Sequence, residues 1–543
     1  LLRTVSSNGS EQTEQALTIA ASDADLATLA RGGRTNFIGF LLRLAARFPF
    51  LFIAGRMYGL DALGRFAYAI IVVEFAAQLA TMGLKRGLAK QLTESTRDHA
   101  HEVWDALIVC VLASLVIGGF LIAVPELMFP NSALNGLDRL LPLVVVLIAA
   151  ADIALSALAY RLDVGATVRA RSIVEPWTLG IAAFALAFVT KRDGLIISYV
   201  LSMAAAFVAS IVPMIRSYGW PRLWRPRLSL IAGIARQNTP LAAADAIEWA
   251  SRRVDVAMLG LFLPPAAVAV YWMAQQIASI PQKLKTSFDS ILAPVITQNL
   301  TAGNTRAVAE QVSQVGFWII GAQLGTALMI GIPGEAVMGV VGPNFVAGTG
   351  ALALLLAAEF MAATAAVSES ALVYICRGRN AMISLLVIGI EAGLCFAFLY
   401  GAREIRLPDL FPTTDGKLPL YYQAAAPALG LLLALGLGSI IKARLLSRLL
   451  NAPVTGWRWA LVWAAIVGSI IGWAATSYLP EWAELAFGIP AIAAGYLVTL
   501  WYFGFGPDDQ ELFRLRRNRP APPQAGSPLG TAEPLSAESV GSL

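Results

Sequence analysis

Five ionisable side chains, Asp245, Glu248, Arg252, Arg253 and Asp255, lie inside one apolar stretch that begins TPLAAADAIEWASRRVDVAMLGLFLPPAA at Thr239. The stretch is long enough to cross a bilayer. An ionisable group at bilayer depth costs roughly 2.5–3.5 kcal/mol even on the mildest scale, so five of them cannot face lipid. At about 100° per residue, Asp245, Glu248, Arg252 and Asp255 fall on one arc of a helix, with Arg253 to one side. The spacing predicts a polar stripe facing protein or water, which marks a transport pathway or a binding site.

Two more arginines, Arg43 and Arg47, are four residues apart on one face of the first apolar segment. A guanidinium offers a planar, permanently charged fork that fits phosphate oxygens. The same two arginines could instead pair with Asp245, Glu248 or Asp255 and tie two parts of the chain together. Both readings hold at once if the ion pairs open and close during a cycle. Carboxylates also occur in other apolar segments: Glu74, sharing a face with Gln78, then Glu359, Glu369 and Glu391. A carboxylate in a dry span can carry a proton or hold a sodium ion, and Glu359, in mid-segment, is the best placed for coupling; a hydrogen-bonded structural role suits it equally. Glu175 is expected to pair with Arg169 or Arg171. There is no phosphate-binding glycine loop, nucleotide fingerprint or catalytic triad, so neither an enzyme nor an ATP-driven motor is expected, and no cofactor. His99 and His101 share a charged loop, and Cys110, Cys376 and Cys395 sit in apolar runs. Neither set makes a metal or disulfide framework.

The elements that must position these groups are membrane spans. The chain has 543 residues, 57% apolar and only 14% charged, against about 25% charged in soluble domains. In such a protein the net charge of +5 bears on orientation and not on nucleic acid. About 14 apolar segments of spanning length lie between residues 35 and 504. The eighth, 268–297, is interrupted by Pro281, Lys283, Lys285 and Asp289 and is expected to kink or leave the membrane early. Basic residues concentrate in alternate loops, KRGLAKQLTESTR at 85–97, RLDVGATVRAR at 161–171, RPRLSLIAGIAR at 225–236 and IKARLLSR at 441–448. Their role is expected to be topological: the asymmetry is roughly threefold and places both termini in the cytoplasm. The loop GAREIRLPDLFPTTDGK at 401–417 dissents. Residues 1–34 lack the apolar core of a signal peptide and read as a soluble arm; 506–543, rich in Pro, Ser, Gly and Ala, read as a disordered cytoplasmic tail.

An internal repeat is visible. A shift of 205 residues lays the first two segments on the seventh and eighth, so that Ala45 meets Ala250, Arg47 meets Arg252, Gly55 meets Gly260 and Thr81 meets Thr286. Six segments separate the copies, so the halves are parallel, as in transporters built from repeats about an axis along the membrane normal. Arg47 and Arg252 are then expected to face each other across a central cavity. The expected units are an N-lobe at 35–238 (spans 1–6), a C-lobe at 239–450 (spans 7–12) and spans 13–14 at 451–505.

The run AGRMYGLDALGRFAYAIIVVEFAAQLATMGLKRGLAKQL at 54–92, and its second copy at 239–284 with Asp255 to Gly260 and Val270 to Ala274, resemble the polysaccharide-export branch of the multidrug/oligosaccharidyl-lipid/polysaccharide exporter superfamily, the Wzx-type O-antigen or exopolysaccharide flippases. The resemblance covers roughly 35–480. It implies an all-α polytopic membrane protein of about 14 transmembrane helices, with two parallel six-helix lobes in a V shape plus two C-terminal helices. It implies a multi-pass protein of the bacterial inner membrane that moves an undecaprenyl-pyrophosphate-linked oligosaccharide to the periplasmic leaflet by alternating access, coupled to protons or Na+. A polysaccharide polymerase and a chain-length regulator are the implied protein partners. Arg43, Arg47, Arg252 and Arg253 are then the candidate substrate contacts; Asp245, Glu248, Asp255, Glu74 and Glu359 form the polar stripe and coupling set. A lipid II flippase and a multidrug or cation antiporter of the same superfamily are the alternatives.

Overall fold

The computed structural model describes residues 42–221, 224–250, 252–281, 305–404 and 420–506. The N-terminal arm, the charged part of the eighth segment, most of the 401–417 loop and the C-terminal tail lie outside them. All the regular structure among the described residues is helical, with no strand among them. Ten of the helices are long and apolar enough to cross a membrane. The first, fifth, seventh and eighth expected segments are helical as well, at 42–58, 164–186, 228–262 in two pieces, and 265–281. Exposed apolar side chains such as Phe120, Phe188, Met382 and Trp473 cover the outer surface. Such a surface suits lipid and not water, and the protein is a multi-pass membrane protein.

The first half comprises α1 (42–58), α2 (Leu60–Ala80), α3 (Leu84–Glu94), α4 (His99–Ala123), α5 (Leu143–Tyr160), α6 (164–186) and α7 (Gly194–Tyr218). α1 closes on a π-turn, Ala54–Tyr58, and α6 opens through another, Val168–Val174. Gly59 and Gly83, at φ +86° and +72°, supply the backbone that separates α1 from α2 and α2 from α3. In the bundle, α5 packs on α2, α4 and α7.

The seventh segment is not one helix. α8 (Leu228–Ala250) begins well before the apolar run, ends in a turn at Arg252 and Arg253, and is followed by α9 (Val254–Phe262) and α10 (265–281). The two pieces have different neighbours. α8 packs on α2, α3 and α4, whereas α9, which also touches α2, packs mainly on the later helices α15 and α16, defined next. The second half continues with α11 (Thr305–Gly331), α12 (Gly334–Val341), α13 (Thr349–Ala363), α14 (Ala366–Ile375), α15 (Arg377–Glu404), α16 (Leu420–Leu450), α17 (Trp459–Tyr478) and α18 (Ile489–Phe503). α16 lies against α13 and α15, and α17 and α18 pair with each other on α11. One apolar core runs through the first half and α9, α10, α12 and α13; a second joins α11, α14, the end of α16, α17 and α18.

The 205-residue register reappears in the backbone. The second helix of each pair starts at 60 and at 265. The first members differ: α1 keeps its course to the π-turn, while its counterpart breaks at the paired arginines.

Candidate functional site

A cavity of about 760 Å³ opens between α1, α2, α3, α5, α6, α7 and α8. Small-molecule sites generally fall between about 300 and 1,000 Å³. Its walls hold six cations, Arg43, Lys85, Arg86, Arg171, Arg252 and Arg253, and five carboxylates, Glu74, Asp152, Glu175, Asp245 and Glu248.

Most of these charges are held in pairs, tightly or loosely. Arg171, on the π-turn of α6, donates to Asp152 and, at 2.8 Å, to Glu175. Lys85 reaches the other oxygen of Asp152 at 3.3 Å. Arg86 bridges from α3 to α8, with Nε 2.9 Å from Asp245 and Nη2 2.5 Å from Glu248. That crossing is possible because α3 approaches α8 closely: a methyl on Gly87 would overlap the Asn238 side chain, and one on Gly83 would press on the α8 backbone.

Three arginines are held more loosely. Arg252 is 3.6 Å from Glu248, which already serves Arg86. Arg253 is 3.9 Å from Glu74 and sits over the Trp249 ring, which packs at 5.2 Å on Phe75 of α2. Arg43 donates to the Ser172 hydroxyl at 3.4 Å. Glu74 also accepts from the Tyr199 hydroxyl at 3.3 Å.

The geometry redistributes the expected residues. Arg43, Arg252, Arg253, Glu74, Asp245 and Glu248 come together around the cavity. Arg47 does not line it. It donates to Gln276 of α10 and lies within electrostatic reach of Arg253, Arg43 and Glu74. One helical turn separates it from Arg43, about 5.4 Å along α1, and its side chain is engaged with α10 and not with the cavity wall. The single polar stripe is also corrected. The turn at Arg252 and Arg253 takes Asp255 off the arc of Asp245 and Glu248 and lets Arg253, expected to one side, line the cavity. The arginines of α1 are not the partners of Asp245 and Glu248; Arg86 is.

Asp255 instead anchors a second polar cluster. It is 1% exposed and accepts from the Tyr271 hydroxyl at 2.7 Å, from Gln275 at 2.9 Å and from the Val256 N–H at 2.8 Å. Glu391 of α15, also 1% exposed, is within electrostatic reach, and its Oε1 has no hydrogen-bond partner among the described residues. Glu359 is half-buried on α13 and is not on the cavity wall. Glu369 pairs with Lys442 at 2.9 Å.

Sequence reasoning missed Asp152 and Tyr199, and read Lys85 and Arg86 as topological charge. A lone Asp in the run LIAAADIALSAL carried the signal, since a carboxylate in a span needs a cation, and the cationic loop 161–171 follows it directly. Glu175 pairs with Arg171, as expected.

A family model described as "Polysaccharide biosynthesis protein" matches residues 31–300. No curated protein matches the chain. Among solved structures, the chain resembles "Lipid II flippase MurJ, inward closed conformation", at 12% identity with a TM-score of 0.68, over 89% of this chain and 99% of that one. It resembles an inward-facing multidrug resistance MATE family transporter of the MOP superfamily, at 12% identity and 0.52, over 76% and 99%. A MOP superfamily transporter from Pyrococcus furiosus, whose title reports a reverse polarity of the binding pocket, aligns at 12% identity and 0.50, over 76% and 94%. At such identities the likeness is one of fold.

Proposed function

From the match of residues 31–300 to the family model described as "Polysaccharide biosynthesis protein", we propose that the protein is a flippase for polyisoprenyl-diphosphate-linked oligosaccharides. The observation that carries the reading is the set of loosely held arginines, Arg43, Arg252 and Arg253, on the wall of one charged cavity. A diphosphate brings at least two negative charges, and burying them unpaired is costly. Guanidinium groups offset that cost with short, charge-assisted and bidentate hydrogen bonds. The cargo's phosphates compete best for cations whose present partners are distant or neutral. Arg86 and Arg171, at 2.5–2.9 Å from their carboxylates, hold the walls while the looser three exchange partners.

The end of the cavity lined by Lys85, Arg86, Ser156, Ala159 and Thr167 lies beside the basic loops, and we take it as the mouth. With those loops in the cytoplasm of a bacterial inner membrane, cargo enters from the inner leaflet and leaves to the outer. The two lobes would divide at the seventh span, whose α8 moves with the first half and α9 with the second. Asp255 and Glu391 are better placed than Glu359 to hold a coupling proton or Na+, because they share one water-excluded cluster at the start of α9. A polymerase and a chain-length regulator would take the product.

The lipid II reading is the second choice, favoured by the similarity to MurJ over 89% of the chain. A multidrug or cation antiporter fits less well, since cations outnumber carboxylates on the wall. Removing the protein from its native organism and identifying the lipid-linked species that accumulates separates these readings. The flippase account expects an undecaprenyl-diphosphate oligosaccharide. Accumulation of lipid II would favour the second, and no lipid-linked intermediate at all would overturn both.

A further inference from the structure

At the end of the bundle opposite the cavity mouth, the two halves meet through helix C-termini. The last carbonyls of a helix have no intrahelical partner and must be satisfied from elsewhere. At the end of α9, the Asn131 amide, on the loop between α4 and α5, donates to the carbonyls of Gly260 at 2.9 Å and Leu263 at 3.2 Å. At the end of α12, Arg56 donates from Nη2 and Nε to the Val340 carbonyl at 3.1 and 3.3 Å, and from Nη2 to Gly339 at 3.4 Å. In both places a first-half side chain caps a helix that continues into the second half. A cation there also complements the negative end of the helix dipole.

Two glycines set how close the halves come. A methyl on Gly64 of α2 would overlap the carbonyl of Pro265, and one on Gly260 of α9 would overlap the Tyr68 ring of α2. The loop that presents Asn131 is braced: buried Arg65 donates to both oxygens of buried Asp138 at 2.9 and 3.0 Å, and Arg192 holds the Ala133 carbonyl at 2.8 Å. Asn131 and Arg56 themselves are exposed.

We propose that this contact is the far gate of the pathway, a clasp in which Asn131 and Arg56 cap the ends of α9 and α12 across the halves, and Gly64 and Gly260 permit the approach. It rests on the transport reading only in needing a two-ended pathway. The parts suit a gate that must open often. When the halves separate, both capping side chains and the carbonyls they cap can turn to water, so each cap is worth little, and closure is a balance of a few weak bonds. The packed helices beneath remain intact.

The test is accessibility. Gln78, on the cavity wall, is replaced by cysteine. A membrane-impermeant maleimide is added to intact cells, on the side of residues 131 and 260, with the chain lacking Gln78→Cys as blank. Asn131→Ala and Arg56→Ala should each raise labelling roughly three- to ten-fold, the range that one modest hydrogen bond commands, and the pair should raise it further. Gly64→Ala should raise it most. Gly119→Ala, whose new methyl meets nothing within 4 Å, should leave it unchanged. If Gly64→Ala does not accumulate, the Asn131→Ala/Arg56→Ala pair decides. Unchanged labelling in that pair at normal abundance overturns the clasp, whatever the cargo is. A labelling gain with no effect on any lipid-linked intermediate would keep the clasp and count against the cargo.

Discussion

Replacing Arg86 by Gln separates the two arms of its bridge, and the structure says they are unequal. The Glu248 arm joins two side chains that are each 51% exposed; such pairs contribute about 0–1 kcal/mol. The Asp245 arm ends on a carboxylate 2% exposed, whose other oxygen has no hydrogen-bond partner among the described residues. Removing the cation from a fully buried pair costs about 3–5 kcal/mol. Here one partner is half in water, which lowers the figure to about 2 kcal/mol. Arg86→Gln should therefore lower the unfolding temperature of the detergent-purified protein by a few degrees. Glu248→Gln should lie within about 0.5 kcal/mol of the parent. Asp245→Asn added to Arg86→Gln should recover most of the loss, a coupling of about 1–2 kcal/mol. The reasoning is refuted if Glu248→Gln costs as much as Arg86→Gln, or if Asp245→Asn gives no recovery.

The remaining expectations concern transport and topology. Arg43→Ala, Arg252→Ala and Arg253→Ala should each reduce polysaccharide export at least tenfold at normal membrane abundance, with Arg252→Lys intermediate because the charge stays and the fork is lost; Arg47→Ala should weaken export less, since Arg47 faces Gln276, and equal loss at Arg47 would move the phosphate contact deeper. Asp255→Asn or Glu391→Gln should abolish dependence on an ion gradient while leaving cargo binding in detergent intact, and a gradient response that survives both excludes the cluster from coupling. Reporter fusions after Leu263 and after Arg448 should report periplasm and cytoplasm respectively, and the reverse pattern would invert the pathway.

Much of this architecture is legible in the sequence, because lipid forces helices and helices here are apolar runs. The starts of α2 and α10, at 60 and 265, keep the 205-residue register, and four charged residues of the seventh segment, Asp245, Glu248, Arg252 and Arg253, line the cavity. What the sequence hides is the break at Arg252 and Arg253. No Gly or Pro marks it; Pro240 lies within α8 without ending it. In an unbroken helix adjacent arginines point about 100° apart and Arg253 leaves the stripe, whereas the turn lets both reach one cavity and sends Asp255 to Tyr271 and Gln275. Arg47 shows a related limit: helical spacing gives the face it shares with Arg43, but its partner, Gln276, comes from α10 and only the tertiary packing brings it there. Arg86 was read as a loop charge because KRGLAK fits the topological rule; only the close approach at Gly83 and Gly87 turns it into a bridge.

The most direct measurement is translocation itself: the purified protein in proteoliposomes, a polyisoprenyl-diphosphate oligosaccharide placed in one leaflet, and its arrival in the other followed with a lectin or an impermeant enzyme. The account predicts protein-dependent movement that Arg252→Ala and Arg253→Ala slow and that excess inorganic pyrophosphate on the cavity side inhibits. Movement no faster than in protein-free vesicles, under an imposed proton or Na+ gradient, would contradict it.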